Sequence, residues 1–163
     1  MKILSMKTTI FLGAMLSLLV CLMFTGCSNS ETNSTSRGLT DFAHIEEEYL
    51  ATIDSLNWPD GITLPDKLED EDTGASFQVG YGETRASYLW EYSWMKEWLD
   101  TYNTDPERAE KALEELEKAF DMPYMGIDRC DDATRNYLCE NIDKAKLGDP
   151  SGFTESIRAN YAN

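Results

Sequence analysis

From Thr40 onward the apolar residues fall at helical intervals. Phe42, Ile45, Tyr49, Ile53 and Leu56 recur every three or four positions, with Glu46, Glu47 and Glu48 off that stripe, which predicts an amphipathic helix. Trp58-Pro59-Asp60-Gly61 ends it as a turn, because proline fixes one backbone dihedral and glycine frees the last position. Residues 62–82 hold Pro65, Gly74, Gly80, Gly82 and an acidic run, which predicts a long irregular crossing. Loops of that length inside a compact domain are unusual, and are more often functional or partly ordered than idle. Residues 83–102 carry the strongest helical pattern. Thr104-Asp105-Pro106 then starts a third helix to Phe120, with Ala109, Ala112, Leu113, Leu116 and Phe120 as its inner stripe. Asp131 or Asp132 opens a fourth, with Ala133, Tyr137, Leu138, Ile142 and Ala145 inward and Gly148 as its stop. Asp149-Pro150 begins a short fifth through Phe153, Ile157 and Tyr161. No stretch sustains a period of two. The fold class expected for residues 39–163 is therefore all-α, a compact four- or five-helix bundle.

The first 27 residues follow a different pattern. Lys2 and Lys7 precede a run from Ile10 to Phe24 that is apolar except for Gly13 and Ser17, and Thr25 and Gly26 lead into Cys27. This charged, apolar, small-residue order is that of an export signal. The run is about fifteen residues long, short of the ~20 that span a bilayer. At Phe24-Thr25-Gly26-Cys27 the segment resembles the signal peptide and lipobox of bacterial lipoproteins, with Phe24 departing from the leucine most often found there. The resemblance implies that residues 1–26 are removed and that Cys27, carrying a diacylglyceryl group on its thiol, becomes the new N-terminus. Each buried methylene is worth ~0.8 kcal/mol and one acyl chain holds only marginally, so two or three chains on one residue make a durable membrane anchor. Residues 28–38, SNSETNSTSRG, have no aliphatic or aromatic side chain and read as a flexible tether of roughly 18 Å root-mean-square span. The expected address is the extracytoplasmic face of the cell membrane.

Charge narrows the partners. Removing the two lysines of the leader from fourteen basic residues leaves twelve against thirty acids, a formal charge of −18 on residues 28–163. Such a surface repels nucleic acid and suits a basic or cationic partner. The acids are interleaved with apolar and aromatic residues at helical spacing, so they do not signal disorder.

Within RASYLWEYSWMKEWLDTY, residues 85–102, steps of about 100° place Trp90, Trp94, Trp98 and Tyr102 in an apolar arc covering more than half the helix. Such a helix is central. Its aromatics are either the core or the lining of an open cleft for a sugar or other flat ligand. Glu91 falls inside this arc, between Trp98 and Tyr102. A carboxylate there must find donors, with Ser87 and tyrosine hydroxyls as candidates, or stay protonated. Glu91 is thus either part of a satisfied buried network or a carboxyl of raised pKa that could act as general acid in glycoside cleavage, although no second carboxylate is identifiable.

Other clusters carry weaker chemistry. Asp70 and Asp72 begin like a calcium loop, but glycine stands at the fifth place and Tyr81 at the twelfth, where glutamate is required. A solvated loop accounts for them. His44, the single histidine, has Glu48 one turn on and reads as a surface pair, since one histidine without a second or a thiol is poor evidence for zinc. Gly80-Tyr81-Gly82-Glu83 lacks the lysine of a phosphate loop and reads as a flexible helix entry. Cys130 and Cys139 remain for a disulfide in an exported setting. Both on one helix would lie ~13 Å apart, so a bridge needs Cys130 to fold back from the preceding loop. No cofactor is implied. The function expected is a lipid-anchored extracytoplasmic binding or interaction domain at the bacterial cell envelope, with a basic envelope protein or small ligand as partner. The alternative is a small glycan hydrolase built on Glu91.

Overall fold

The computed structural model describes residues 38–69 and 71–161. The leader, Cys27, the tether to residue 37 and Asp70 lie outside the described residues. Among the described residues there are five α-helices, in order α1 Phe42–Ser55, α2 Tyr81–Thr101, α3 Pro106–Glu117, α4 Asp132–Lys146 and α5 Ser151–Asn160. The architecture is an all-α bundle, as the spacing of apolar residues predicts. Asp41, Asp105 and Asp131 cap α1, α3 and α4, each carboxylate accepting from the backbone N–H three residues on, at 3.1, 3.2 and 2.8 Å. Gly148, in the left-handed region at φ 79°, closes α4.

Several expectations are corrected. Leu39–Thr40 (β1) and Phe77–Gln78 (β2) form a two-residue antiparallel pair, Leu39 opposite Gln78, too short for any alternation to announce. Helix α2 starts at Tyr81, before the predicted Glu83, and its cap is Gly80 at φ 87°, so Gly82 lies inside the helix. Helix α3 stops at Glu117 and tightens into a 3-10 turn over Lys118–Asp121, which turns Phe120 outward. Pro123–Met125 forms a second, unpredicted 3-10 turn. On α4, Leu138, Ile142 and Ala145 face inward as expected, but Ala133 and Tyr137 are exposed and Asn141 is buried with the apolar residues.

Helix α2 is central, packing against α1, α3, α5 and the second 3-10 turn. Two apolar clusters share it. Its N-terminal half and α1 enclose Ile45, Tyr49, Ile53 and Ala86, to which the irregular crossing adds Leu68 and Phe77. Its C-terminal half buries Trp90, Trp94, Met95 and Trp98 against α3, α4 and Phe153 of α5. The half-buried Trp58 touches both clusters, its indole N–H donating to the Ile53 carbonyl at 2.9 Å.

The α1–α2 crossing depends on small residues. A methyl group on Gly82 would collide with the Ile45 carbonyl of α1, and Ala86, one turn on, is fully buried. At the same crossing Glu48 of α1 caps α2 from outside the helix: its two carboxylate oxygens accept from the Gly80 and Gly82 N–H groups at 2.7 and 3.2 Å. A carboxylate there satisfies donors that have no intrahelical partner and meets the positive end of the helix dipole. His44 lies 3.3 Å from the same carboxylate, as the one-turn spacing predicts. Arg129 donates to Glu83 at 2.8 Å beside this cap.

Gly82→Ala is expected to lower the unfolding free energy by about 2 kcal/mol or more, because backbone and not a flexible side chain opposes the methyl group. Urea denaturation checks this; an unchanged midpoint would mean that α1 and α2 do not approach there.

Candidate functional site

Glu91 stands on α2 where the helix is covered on most sides, and it is 7% exposed. Ser87 is not its donor, since that hydroxyl donates to the Glu83 carbonyl one turn back. The donor is the Tyr124 hydroxyl, 2.8 Å from Oε2. Tyr124 reaches it because Met122 is extended and Pro123 opens a tight 3-10 turn, which aims the next side chain at α2. The Tyr124 ring meets Tyr88 edge-on at 5.7 Å and 85°, a favoured aromatic geometry. A tyrosine hydroxyl was among the expected donors, but nothing in the sequence singled out Tyr124; the tertiary path of residues 122–125 brings it in.

Beside this pair lies a cavity of about 470 Å³, within the range of small-molecule sites. Tyr49 of α1 and Arg85, Tyr88, Leu89 and Glu91 of α2 form one side. Met125, Thr134, Tyr137 and Leu138 form the second, and Ser156, Asn160 and Tyr161 close the third. Arg85, Tyr88, Thr134 and Tyr137 are exposed, so the cavity reaches solvent between α2 and α4. Among the described residues that line it, Glu91 is the one carboxylate. Its Oε1 and the hydroxyls of Tyr49, Tyr88 and Tyr161 have no hydrogen-bond partner among the described residues, whereas Arg85 is held toward Glu71 at 3.4 Å.

Burial pushes the Glu91 carboxyl up to about 7, the Tyr124 hydrogen bond only partly opposing the loss of water. The same burial, with the Glu91 charge next, raises Tyr124, Tyr88 and Tyr161 above the usual phenol range. At neutral pH the site therefore presents neutral phenols around a carboxyl that takes up or releases a proton easily.

The tryptophans do not form an open cleft. Trp90 and Trp94 are sealed in the core, both indole N–H groups donating to the Asn57 carbonyl, at 2.8 and 3.1 Å. Trp98 is also buried, stacked on the half-exposed Tyr102 at 4.6 Å and edge-on to Phe153. These two edge a separate shallow depression beside Glu110, Glu114 and Lys146, so the four predicted aromatics are not gathered at one site and none lines the Glu91 cavity. Cys130 and Cys139 are free thiols; the Cys130 sulfur lies 3.5 Å from that of Met125, and Cys139 is exposed on α4. Asp72 accepts from the Gly74 N–H at 2.9 Å as an ordinary turn, and no three metal-ligating side chains cluster among the described residues.

No family model matches the chain, and no match is found among curated proteins or among solved structures. The site is accordingly argued from its own chemistry.

A carboxyl of folded pKa about 7 and unfolded value near 4.5 binds its proton more tightly in the native state. The resulting stability is complete below pH ~4.5 and lost as the pH rises toward 7, a change on the order of 3 kcal/mol. Glu91→Gln, which cannot ionise, is expected to be more stable than the wild type at pH 8 by that order, with the difference shrinking toward pH 4.5. Denaturant titrations of both proteins across this range check the sign; a difference independent of pH would refute it.

Proposed function

We propose that the protein is a lipid-anchored, extracytoplasmic binding domain of the bacterial cell envelope whose ligand enters the cavity beside Glu91. The observation that carries this reading is the cavity itself. Helices α1, α2, α4 and α5 and a 3-10 turn converge on a space that reaches solvent and is lined by phenol hydroxyls and a carboxylate oxygen lacking protein partners. These groups keep access to the solvent in the cavity, and a bound molecule can take the place of that water and pair with them. A small ligand fits this concavity better than a basic envelope protein does. The lipobox resemblance at Phe24-Thr25-Gly26-Cys27 supports the anchor, and no helix among the described residues is long and apolar enough to cross a membrane. Glycan cleavage by Glu91 is the alternative, favoured by the raised carboxyl pKa. It requires a second carboxylate roughly 5 to 10 Å away, and none lines the cavity among the described residues.

Met125 lines the cavity and offers a methyl reporter. In the full chain labelled with ¹³C-methyl methionine and held in non-ionic detergent, we expect at least one of choline, benzoate and N-acetylglucosamine to shift the Met125 signal. Thr134→Trp, a change at an exposed rim position, should abolish that shift. A Met125 signal unmoved by all three probes would contradict the reading. For the anchor, mass spectrometry of the membrane-extracted protein should find a mature N-terminus at an acylated Cys27; an unmodified Cys27 would remove it.

A further inference from the structure

We infer that the cavity selects an organic cation, an amine or quaternary ammonium group seated among Tyr49, Tyr88, Tyr137 and Tyr161 with Glu91 as its counter-ion. The inference rests on the reading of this cavity as a ligand site and adds the chemical class. All four aromatic side chains in the wall are tyrosines, whose electron-rich faces attract cations, the more so where water is excluded. The single acid among the described wall residues has one oxygen committed to Tyr124 and the other without a protein partner.

The single basic residue of the wall, Arg85, stands at the exposed rim and pairs with Glu71, so it does not supply Glu91 with a counter-charge. An anion would meet Glu91 inside and the −16 net charge of the chain outside, whereas a cation is drawn by both.

The titratable groups of the cavity wall, and those whose ionisation the Glu91 charge affects, bear on how it would respond to such a ligand. Tyr49 comes from α1, Tyr88 and Arg85 from α2, Tyr124 from the 3-10 turn, Cys130 from the loop before α4, Tyr137 from α4, and Tyr161 from the end of α5. Burial raises the Tyr49, Tyr88, Tyr124 and Tyr161 phenols and the Cys130 thiol, which carry their protons at neutral pH, so among these groups the carboxyl is the one that changes charge there. A cation binds the ionised carboxylate and displaces the proton that Glu91 holds. With the carboxyl titrating at about 7, the ionised fraction rises about tenfold between pH 6 and pH 8, and the apparent affinity follows that fraction.

Calorimetry of the full chain in non-ionic detergent, with choline and its uncharged carbon isostere 3,3-dimethylbutan-1-ol as probes, tests this. We expect choline to bind about tenfold more tightly at pH 8 than at pH 6. At pH 7 it should release about half a proton per site, read from two buffers of different ionisation enthalpy, and the isostere should bind at least tenfold more weakly. Glu91→Gln should abolish the pH dependence while keeping the helical circular-dichroism signal. Tyr88→Leu, at an exposed rim position, should weaken choline about threefold to tenfold. Equal binding of choline and the isostere, or a choline affinity flat in pH, overturns the inference. If choline fails while benzoate or N-acetylglucosamine shifts Met125, the cation class falls and the ligand site stands; if no probe shifts Met125, both fall.

Discussion

A carboxyl group held out of water by the most enclosed helix of the bundle, with one phenol as its partner, is the constraint from which the rest of the site follows. Helix α2 is apolar over more than half its circumference and therefore has neighbours on several sides. A polar residue within that arc cannot turn toward bulk solvent. Glu91 is in that position, and an isolated buried charge costs more than a single neutral hydrogen bond returns. The molecule lowers that cost in two ways visible around the residue. Tyr124 donates to one oxygen, and the bundle leaves a cavity beside the other, where a proton, water or ligand can complete the shell. A carboxyl destabilised in this way is poised for exchange, as groups at binding and catalytic sites commonly are.

The scaffold that holds this arrangement is rigid where the site needs it. The glycine and alanine steps of α2 let α1 approach closely, which brings Tyr49 to the cavity wall, and the Glu48 carboxylate fixes the start of α2 four helical residues before Arg85. In the middle of α2 the Asn57 carbonyl holds two indole N–H groups at once, so Trp90 and Trp94 are tied to the turn after α1. The aromatic richness of residues 85–102 is thus divided. Tryptophan builds the core, and of the three tyrosines in that stretch Tyr88, able to keep a hydroxyl wet while part of its ring is covered, lines the cavity.

Much of the fold was legible in the chain because its helices are amphipathic and end in Asp caps, prolines and glycines whose local chemistry acts without tertiary help. The anomaly at Glu91 was legible for the same reason, since angular position on one helix needs only spacing. What surrounds Glu91 was not. Tyr124, Tyr137 and Tyr161 lie 33 to 70 positions along the chain from it, on a 3-10 turn and two other elements, and nothing local ties them together. Tyr137 was expected inward as core and instead stands exposed at the cavity rim, while Asn141 took an inward place on α4 that a polar side chain does not advertise. The paired strands were missed because two residues carry no period, and the helix entry at Gly80-Tyr81-Gly82-Glu83 was read without fixing Gly80 as the cap, because the left-handed dihedral that marks it is not encoded by composition.

The central claim is that Glu91 is a cavity-facing carboxyl whose proton is held to near neutrality by burial. Its side-chain carboxyl carbon, followed by ¹³C nuclear magnetic resonance through an acid-to-alkaline titration of the folded protein and assigned by its loss in a glutamine variant, reads that proton directly. The account predicts a midpoint near 7. A midpoint close to 4.5, the ordinary glutamate value, would show a solvated side chain and contradict it.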